Sequence, residues 1–591
     1  MSVTPQGKSV QTMYRDYREG RLLVNRKYQR KLVWSIEEKQ RLIDSILRGF
    51  PIPLILLAER PDLYGPGKYE IIDGIQRFNA IFTFIENAYG LNGEYFDVSE
   101  FARAKQLAED GVFPTKKDGP FLSPEKCANI LDYQLATTVY PTREEGRITE
   151  VFGRINASGR QLSSQEQRQA GVTSQFSGLV RNLAAELRGD VSKEVLLLTE
   201  MPEISIETGK EIHGYGVTAE NTIWCKQGIL SVKQLKESED EQIVADLAAS
   251  ILLDSPIGAS KELLDKLYDE TTAEGRDIER KLVAYGADRL STEIKSTFSV
   301  IKQVIEECSD QTNYLRNTVR PGRPYPIKTP FYAIFMAFFH LIVKKQRSPE
   351  SYKGIMGALA KLSDKMRAGA HYETMDNRTH NINVTKGLVQ DFFVDREPPV
   401  FGHGPALVMD FENSLRRSRI ETPRYEFKQG ILRLDASREI DDDLLNRFME
   451  VTCGISNLGP DSEGYLYLGV ADKEADAKRI ESLDGITPKE IADHYVVGVD
   501  REANLLRITL DQYVQKIVSV LQNSDLSEPL KTQVLSNFDT ITIHGLTVIR
   551  VVVPAQRDLS FVGEKAFYRK GSSTVELTGQ ELVAVSKLFP A

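Results

Sequence analysis

The sequence predicts a multidomain α+β protein, and three observations lead to this fold class. The chain has 591 residues, which is far too long for one hydrophobic core and predicts about three domains. Strand-like and helix-like apolar patterns alternate in the first part, helical spacing fills the middle, and β-type apolar runs return near the end. We therefore predict an α/β domain over residues 1–172, a helical domain over 173–400 and a second α/β domain over 405–591.

A predicted helix and a predicted buried strand open the first domain. Ser35 and Glu38 have the spacing of a capping box, and the residues after them show helical apolar spacing up to Gly49. Two prolines in the segment 51–53 then favour an extended chain, which leads into the apolar run 54–57. This order predicts a helix followed by a strand inside the core.

The most informative element of this domain is a strand that turns sharply into a helix. An apolar run from Tyr69 meets Asp73-Gly74, and Gln76 and Arg77 open a stretch with helical spacing. Such a turn leaves backbone N–H groups pointing outward, where an arginine suits a phosphate or another anion. The same pattern also fits an ordinary turn followed by a solvated arginine, which is the commoner outcome for so short a motif.

Several further motifs accompany this turn in a fixed order. They are Tyr28-Gln29-Arg30, Val33-Trp34, Gln40, Leu42-Ile43, Ser45-Ile46-Leu47, Gly49, Pro51-Ile52-Pro53, Asp73-Gly74-Ile75-Gln76-Arg77, and the segments 152–159 and 162–166. This ordered set resembles the N-terminal domain of the GmrSD type IV restriction family, which belongs to the ParB and sulfiredoxin-like superfamily. That family usually has Asp-Gly-Gln-Gln-Arg at the turn, so Ile75 is a departure, and we expect Ile75 to face the core.

The resemblance implies a ParB/sulfiredoxin-like fold that binds, and in some relatives hydrolyses, a nucleoside triphosphate. Arg77 would neutralise phosphate oxygens, Gln76 would orient a water or a base, and Asp73 would hold Mg²⁺. The other nucleotide-binding residues that it implies are Tyr28, Gln29, Arg30, Gly74, Arg154 and Asn156. An internal network of salt bridges and caps explains Arg30, Arg154 and Asn156 equally well. Whether the nucleotide is GTP, ATP or CTP stays open.

Composition restricts the classes of partner and the compartment. The net charge of −9 and the pI near 5.6 exclude a protein coated in positive charge, so any contact with phosphates is local. Cys127, Cys225, Cys308 and Cys453 show no Cys-x-x-Cys spacing, which fits a reducing compartment without a zinc knuckle or disulfides. The apolar run 331–343 is too short for a bilayer. We expect a cytoplasmic protein with no membrane partner.

The middle of the chain predicts helices separated by polar loops. The predicted helical runs are 238–253, 288–308, 330–344, 351–366 and 384–393. We interpret the acidic residues 238–241 as the start of a helix, where they complement its dipole, rather than as a metal cluster. The proline-rich segment 319–326 predicts a loop that carries two arginines. His371, His380 and the polar run 376–379 match no compact metal motif and predict a polar connection or surface loop.

The last domain has β-type apolar runs at 465–470, 541–543, 546–553 and 566–568. Three segments around them, namely 421–428, 455–457 with 464–472, and 567–574, resemble the Schlafen AlbA-like domain, a nucleic-acid-associated module. In the nuclease members, two glutamates five residues apart and a later aspartate form an acidic metal-binding triad. Glu421, Glu426 and Asp472 occupy the matching positions, although the segment 458–463 replaces a shorter turn in the family.

The resemblance implies that this triad holds Mg²⁺ or Mn²⁺, which polarises a phosphodiester and activates water. The basic residues that would neutralise phosphates are Lys428, Arg569 and Lys570. A half-buried strand and an ordinary turn explain Glu426 and Asp472 as well. Many AlbA-like domains also bind nucleic acid without cutting it.

Together, the resemblances predict a prokaryotic anti-phage defence effector. An NTP-binding and hydrolysing sensor domain would control a metal-dependent, nuclease-like C-terminal domain that acts on phage DNA or RNA, and a homo-oligomer is compatible with this role. The competing hypothesis is a nucleotide-responsive regulator that binds DNA or RNA without cleaving it. A third hypothesis is an NTP hydrolase that its AlbA-like part merely recruits to a target.

Overall fold

The computed structural model describes residues 5–26, 32, 34–59, 67–110, 112–116, 118–140, 163–169, 172, 174–190, 195–200, 203–205, 216–367, 373–395, 405–418, 422–460 and 462–589. The chain forms two compact units, Met1–Arg396 and Glu397–Ala591. It is therefore a multidomain protein, and both units combine helices with sheets. Among the described helices, none is both long enough and apolar enough to cross a membrane.

A mixed sheet forms the base of the N-terminal part of the first unit. Its strands are β1 (Gln6–Ser9), β2 (Leu22–Asn25), β3 (Ile55–Glu59), β4 (Tyr69–Asp73), β5 (Gln134–Tyr140) and β6 (Val195–Leu197). Their order in the sheet is β1-β5-β3-β4-β2-β6. The pairs β2 with β4 and β3 with β5 are parallel, and β3 is antiparallel to β4. The carboxyl ends of β2 and β4 therefore lie at the same edge of the sheet.

Helices pack on this sheet through their apolar faces. They are α1 (Val10–Arg18), α2 (Ile36–Leu47), α3 (Ile75–Ile85), α4 (Ala102–Glu109) and α5 (Pro124–Asp132), with a 3₁₀ turn at Val98–Glu100. The polar helix α6 (Ser164–Gln169) lies instead against the helical part, where Gln165 contacts Tyr268 and Arg168 contacts Asp265. The predicted capping box begins α2: the N–H of Glu38 donates to Ser35 Oγ, and the N–H of Ser35 donates to Glu38 Oε2. Ile75 is 4% exposed and belongs to the core, as predicted.

The rest of the first unit is mainly helical. Its helices are α7 (Gln175–Arg188), α8 (Ile223–Lys226), α9 (Val232–Lys236), α10 (Glu239–Leu252), α11 (Lys261–Tyr268), α12 (Ala273–Tyr285), α13 (Ala287–Glu306), α14 (Tyr314–Val319), α15 (Lys328–Phe339), α16 (Tyr352–Ala358), α17 (Leu362–Lys365) and α18 (Met375–Val389). Two short strand pairs accompany them, β7 (Glu203–Ser205) with β8 (Gly216–Thr218) and β9 (Ser348–Pro349) with β10 (Phe393–Val394). Short 3₁₀ turns lie at Leu198–Glu200, Ala219–Asn221 and Gln390–Phe392.

The acidic residues that were predicted to open a helix lie in the first turn of α10. They also make tertiary ion pairs: Asp240 is buried against Arg188, and Glu239 Oε2 lies 2.6 Å from Lys328 Nζ. The helix dipole and these cations both stabilise the carboxylates. This region is a structural element of the helical part.

Two predictions for this region were wrong. The predicted helix 351–366 is broken at Lys361, whose φ of 55° interrupts α16 and α17. The polar run 376–379 and His380 lie inside α18 rather than in a loop. Arg378 points inward from this helix and forms a two-point ion pair with Asp246. A polar face that is satisfied by buried partners gives no apolar periodicity, so the pattern in the sequence resembled a loop.

The second unit, Glu397–Ala591, also combines helices with β-sheets. Its helices are α19 (Pro405–Arg417), α20 (Asp442–Ser456), α21 (Glu474–Asp484), α22 (Asp500–Leu506), α23 (Leu510–Gln522), α24 (Leu530–Leu535) and α25 (Gly579–Ser586). Its strands are β11 (Tyr425–Lys428), β12 (Gly464–Leu468), β13 (Val470–Ala471), β14 (Lys489–Ile491), β15 (His494–Val496), β16 (Phe538–Ile543), β17 (Leu546–Val553), β18 (Phe567–Lys570) and β19 (Ser573–Glu576), and a 3₁₀ turn at Thr422–Arg424 precedes β11. The main sheet has the order β11-β12-β17-β16, with β11 parallel to β12.

The two faces of this main sheet have different chemistry. Tyr425 and Phe427 of β11 stack on the aromatic residues of β12, and this face packs on α19. Alternate residues of a strand point to opposite faces, so Glu426 and Lys428 lie on the other side. That side also carries the aliphatic residues that pack on α20. A charged pair is thus held at the border of an apolar core.

Candidate functional site

The turn between β4 and α3 is the first candidate site. Gly74 is the N-cap residue of α3, and its φ of 113° lies in the left-handed region that favours glycine. Among the residues that the structure describes, no side chain caps the start of this helix, and the first N–H groups of a helix have no acceptor within the helix itself. The turn therefore has the geometry of an anion site at a helix N-terminus.

Arg77 folds back over the turn. Its Nη2 atom donates to Asp73 Oδ2 at 2.7 Å and to the Leu54 carbonyl at 3.0 Å. The guanidinium packs against Gly74, since a Cβ on that glycine would lie 3.5 Å from Nη2. The side chain is 12% exposed, and its Nε is buried without a hydrogen-bond partner among the described residues. One nitrogen thus makes both internal contacts, and the other N–H groups of the guanidinium make no hydrogen bond to the described residues.

Gln76 takes a different position from the one predicted for it. It is 5% exposed, and its Oε1 accepts a hydrogen bond from the N–H of Trp34 at 3.3 Å. The side chain therefore ties the turn to the segment that precedes α2. In this arrangement the Oε1 atom of Gln76 supports the turn from inside.

Some predicted nucleotide-binding residues lie outside the described residues. They are Tyr28, Gln29, Arg30, Arg154 and Asn156. Of the predicted set in this domain, the structure thus places Asp73, Gly74, Gln76 and Arg77. The Leu54 carbonyl joins them, and only the pairing of β3 with β4 brings it there.

The second candidate site is a charged cluster around Glu426 in the other unit. Glu426 Oε1 lies 2.6 Å from Lys428 Nζ, and Oε2 lies 2.9 Å from Arg569 Nη2. The Glu426 side chain is 14% exposed. Both carboxylate oxygens thus bind a cation of the protein itself.

Arg569 is an internal residue, 2% exposed. Its guanidinium donates to the carbonyls of Pro423 and Tyr425 and to Thr574 Oγ1, besides its ion pair with Glu426. Every guanidinium nitrogen has a partner, so Arg569 holds Glu426 instead of facing a phosphate. This corrects the predicted role of Arg569.

Lys570 points the other way from Arg569, as expected for the next residue of β18. Its Nζ lies 2.8 Å from Glu581 Oε1 on α25, and both side chains are about half exposed. Lys570 is therefore not part of the Glu426 cluster. Lys428 differs from the other two predicted phosphate-binding residues, because it belongs to the cluster and its side chain is also partly exposed.

Asp472 follows β13 and faces His494. The distance from Asp472 Oδ1 to His494 Nε2 is 3.6 Å, and the His494 ring also contacts the Phe427 ring. The Asp472 side chain is 56% exposed, so the partial burial of its carboxyl raises its pKa only in part; His494 opposes this rise, and the negative charge of Glu426 adds to it. The two carboxylates therefore lie within electrostatic reach of each other.

His494 was not predicted, because no sequence signal connects it with this cluster. It lies on β15, which pairs with β13 and β14 in a small sheet of its own. Its Nδ1 lies 3.0 Å from the Ala492 carbonyl, and its Nε2 lies 3.4 Å from Ser418 Oγ. Only tertiary packing brings this ring to Asp472.

In the described part of the predicted triad, both oxygens of Glu426 already have a partner. These partners are cations, and Glu421 lies outside the described residues. Among the residues that the structure describes, no group of three His, Cys, Asp or Glu side chains converges closely enough to hold a metal. We therefore derive no metal-dependent step from this cluster.

Comparison with known proteins supports one of the two resemblances. Residues 10–173 match the family model of the GmrSD restriction endonuclease N-terminal domain. This confirms the GmrSD-type domain at the N-terminus, and the matched segment contains the Asp73-Gly74 turn. A search of curated proteins finds no match to the chain.

Proposed function

We propose that this protein is a restriction-type anti-phage defence effector whose N-terminal domain binds a nucleoside triphosphate at the turn from Asp73 to Arg77. One observation carries the proposal. The turn combines a left-handed glycine, an uncapped helix start and an arginine with donors to spare, in a segment that matches a restriction endonuclease family. The six-stranded sheet around it is the reason to propose a ParB/sulfiredoxin-like fold.

Different groups of the turn would bind different parts of the nucleotide and its Mg²⁺ ion. The first N–H groups of α3 and the Arg77 guanidinium would bind phosphate oxygens. Asp73 uses Oδ2 for Arg77, and its Oδ1 has no hydrogen bond to the described residues, so one oxygen is left for Mg²⁺. The ion would neutralise charge on the triphosphate. Hydrolysis would further require a residue that directs water, and Gln76 would have to leave Trp34 to do this.

Nucleotide binding by the full chain tests the proposal. We would measure binding of ATP, GTP and CTP by isothermal titration calorimetry with Mg²⁺, and phosphate release in parallel. Arg77→Ala should weaken binding of the preferred nucleotide by about tenfold or more, since charge-assisted bonds to phosphate contribute about 1.5–3 kcal/mol.

Arg48→Ala is the matched control. Arg48 also pairs with an aspartate one helical turn away, but this pair with Asp44 is on the surface of α2. This variant should bind like the wild type. If no triphosphate bound the wild-type protein, or if Arg77→Ala bound as well as Arg48→Ala, the proposed site would be wrong.

We infer that the second unit engages nucleic acid, and we propose an AlbA-like fold for it. Both carboxylate oxygens of Glu426 bind cations of the protein, which supports a unit that binds nucleic acid and does not use metal-bound carboxylates to cleave it. Lys428 is the partly exposed cation of this cluster. The negative charge of Glu426 acts on the Asp472 carboxyl, and this is the reason for a second candidate function, a metal-dependent nuclease that recruits Glu421.

A cleavage screen separates the two functions. The full chain would be incubated with plain and modified DNA and with RNA, with Mg²⁺ or Mn²⁺, in the presence and absence of triphosphate. Cleavage that disappears in both Glu426→Gln and Asp472→Asn, with binding retained, would support the nuclease. Binding without any cleavage would support the regulator. If cleavage persisted in both variants, the activity would belong to another part of the chain.

A further inference from the structure

One stretch of this acidic protein contains no acidic residue. Between Gln311 and Pro349 the chain has no aspartate or glutamate, whereas the net charge of the whole protein is −9. The basic residues of this stretch are Arg316, Arg320, Arg323, Lys328, Lys344, Lys345 and Arg347. The stretch belongs to the helical part and contains none of the residues of either candidate site.

The loop between α14 and α15 forms one surface with the helix α17. Arg320 Nε donates to Ser363 Oγ at 3.2 Å, and the N–H of Lys361 donates to the Thr318 carbonyl at 2.9 Å. The end of the loop is tied to its start, because Arg320 Nη1 donates to the Pro326 carbonyl. We call this surface the basic patch; it comprises Arg320, Arg323, Lys361 and Lys365, together with Tyr325, which belongs to the same loop as Arg323.

The charges of the basic patch are not neutralised from within. Arg320 donates to neutral oxygens, and no carboxylate among the described residues pairs with Arg323, Lys361 or Lys365. Asp364 is the acidic residue of α17 and leaves the patch with net positive charge. Three other basic residues of the stretch behave differently, since Lys328, Lys344 and Arg347 each pair with a carboxylate. The surface therefore suits a partner with several negative charges.

Tyr325 indicates a second property of this partner. Its side chain is 68% exposed, and it lies between Pro324 and Pro326, which restrict the backbone of the loop. An exposed aromatic ring among unpaired cations is the combination that binds single-stranded nucleic acid: phosphates meet the cations and a base stacks on the ring. A duplex does not offer the face of an unstacked base.

We propose that the basic patch binds single-stranded nucleic acid, with backbone phosphates on Arg323, Lys361 and Lys365 and a base stacked on Tyr325. This surface goes beyond the proposed nucleotide turn and the Glu426 cluster. It is built from residues other than those proposed for the nucleotide turn and the Glu426 cluster.

Fluorescence anisotropy of the full chain with a labelled oligo-dT, over a range of salt concentrations, tests the patch. The triple variant Arg323→Ala/Lys361→Ala/Lys365→Ala should weaken binding by about tenfold or more. It should also reduce the slope of log K against log salt by about 2, as expected for three phosphate contacts on a single strand. The control Lys105→Ala/Lys126→Ala/Lys233→Ala removes the same charge from exposed lysines elsewhere and should change neither quantity.

Tyr325 variants separate stacking from charge. Tyr325→Ala should weaken binding by about tenfold without changing the salt slope, and Tyr325→Phe should bind like the wild type. The proposal is overturned if the wild type does not bind the oligonucleotide, if both triple variants bind equally well, or if a duplex of the same length binds as tightly. Tighter binding to phosphatidylserine vesicles than to the oligonucleotide would assign the patch to membranes and would also overturn it. Binding of the preferred triphosphate and thermal unfolding of each variant show whether the nucleotide turn and the fold are intact.

Discussion

The Nη2 atom of Arg569 lies 2.9 Å from Oε2 of Glu426, inside the second unit and at the border of its core. The two residues come from β18 and β11, which belong to different sheets. This ion pair therefore fixes the hairpin of β18 and β19 against the edge of the main sheet. It also decides which way the Glu426 carboxylate points.

Replacement of Arg569 by methionine should destabilise the second unit. The change would leave Glu426 partly buried with Lys428 as its remaining cation, and the carbonyls of Pro423 and Tyr425 would lose a donor. Breaking such a buried pair costs about 3–5 kcal/mol, which urea unfolding would measure. Lys570→Met removes the neighbouring surface pair with Glu581 and should change the free energy of unfolding by less than about 1 kcal/mol. Equal stability of the two variants would contradict the structural role of Arg569.

Gly74→Ala should destabilise the N-terminal domain. Its φ of 113° is unfavourable for alanine, and the new Cβ would lie 3.1 Å from Ile55 Cγ1. We expect a loss of about 1–3 kcal/mol in the free energy of unfolding. Gly178→Ala is the control, because Gly178 lies within α7 with open space around its Cα, and this change should stabilise the protein by about 0.5–1 kcal/mol. If both variants lost stability, the left-handed backbone of Gly74 would not explain the loss.

Asp472→Asn should stabilise the protein at neutral pH. The pKa of Asp472 is raised in the folded state, so the folded carboxyl binds its proton more tightly than the unfolded one. Its ionisation therefore costs stability as the pH rises through the range between the ordinary and the raised pKa, and the cost is complete above that range. The asparagine variant avoids this cost. Because 56% of the Asp472 side chain is exposed, solvent screens this effect, so its melting temperature should exceed that of the wild type only slightly at pH 7. The difference should vanish below about pH 4.

Asp435→Asn provides a control of opposite sign. Hydrogen bonds from the Ser437 side chain and backbone lower the pKa of Asp435, so its ionised form stabilises the folded state. That variant should melt at a lower temperature than the wild type at pH 7, and its difference should also vanish in acid. If the Asp472 variant showed the same sign as the Asp435 variant, then burial and Glu426 would not dominate the pKa of Asp472.

Asn457→Ala should loosen the strand that supplies Arg569. The buried Asn457 amide donates to the carbonyls of Ser560 and Phe567 and accepts from the N–H of Ser560. Its loss leaves buried backbone groups without partners, which should lower the free energy of unfolding by about 2–3 kcal/mol. In the control Asn523→Ala, an exposed side chain with one bond to the Ser519 carbonyl is removed, and the change should stay near 0.5 kcal/mol.

The sequence predicted elements best where the signal is local. The capping box at Ser35 gives the start of α2, and the apolar run 546–553 coincides with β17. The Asp-Gly turn was predicted at the junction of β4 and α3. In each case neighbours in the chain determine the backbone, so the pattern of residues is sufficient.

The rest of the site depends on partners that are distant in the chain. The ion pair of Arg569, the contact of His494 with Asp472 and the inward turn of Gln76 follow from the packing of separate elements. A basic residue next to a family-like motif suggested phosphate binding, but burial gave Arg569 an internal role. The same limit explains why the polar helix α18 was predicted as a loop: Arg378 is satisfied by Asp246, and no local pattern reports this.

The full occupancy of Glu426 also bears on how the second unit responds to ions in solution. A divalent cation would have to displace an ammonium and a guanidinium that belong to the same chain. The local concentration of these two groups around Glu426 does not fall on dilution. Magnesium would in addition have to shed part of its tightly held water. The stability of the second unit should therefore not change when a chelator is added, because Lys428 and Arg569 already neutralise Glu426.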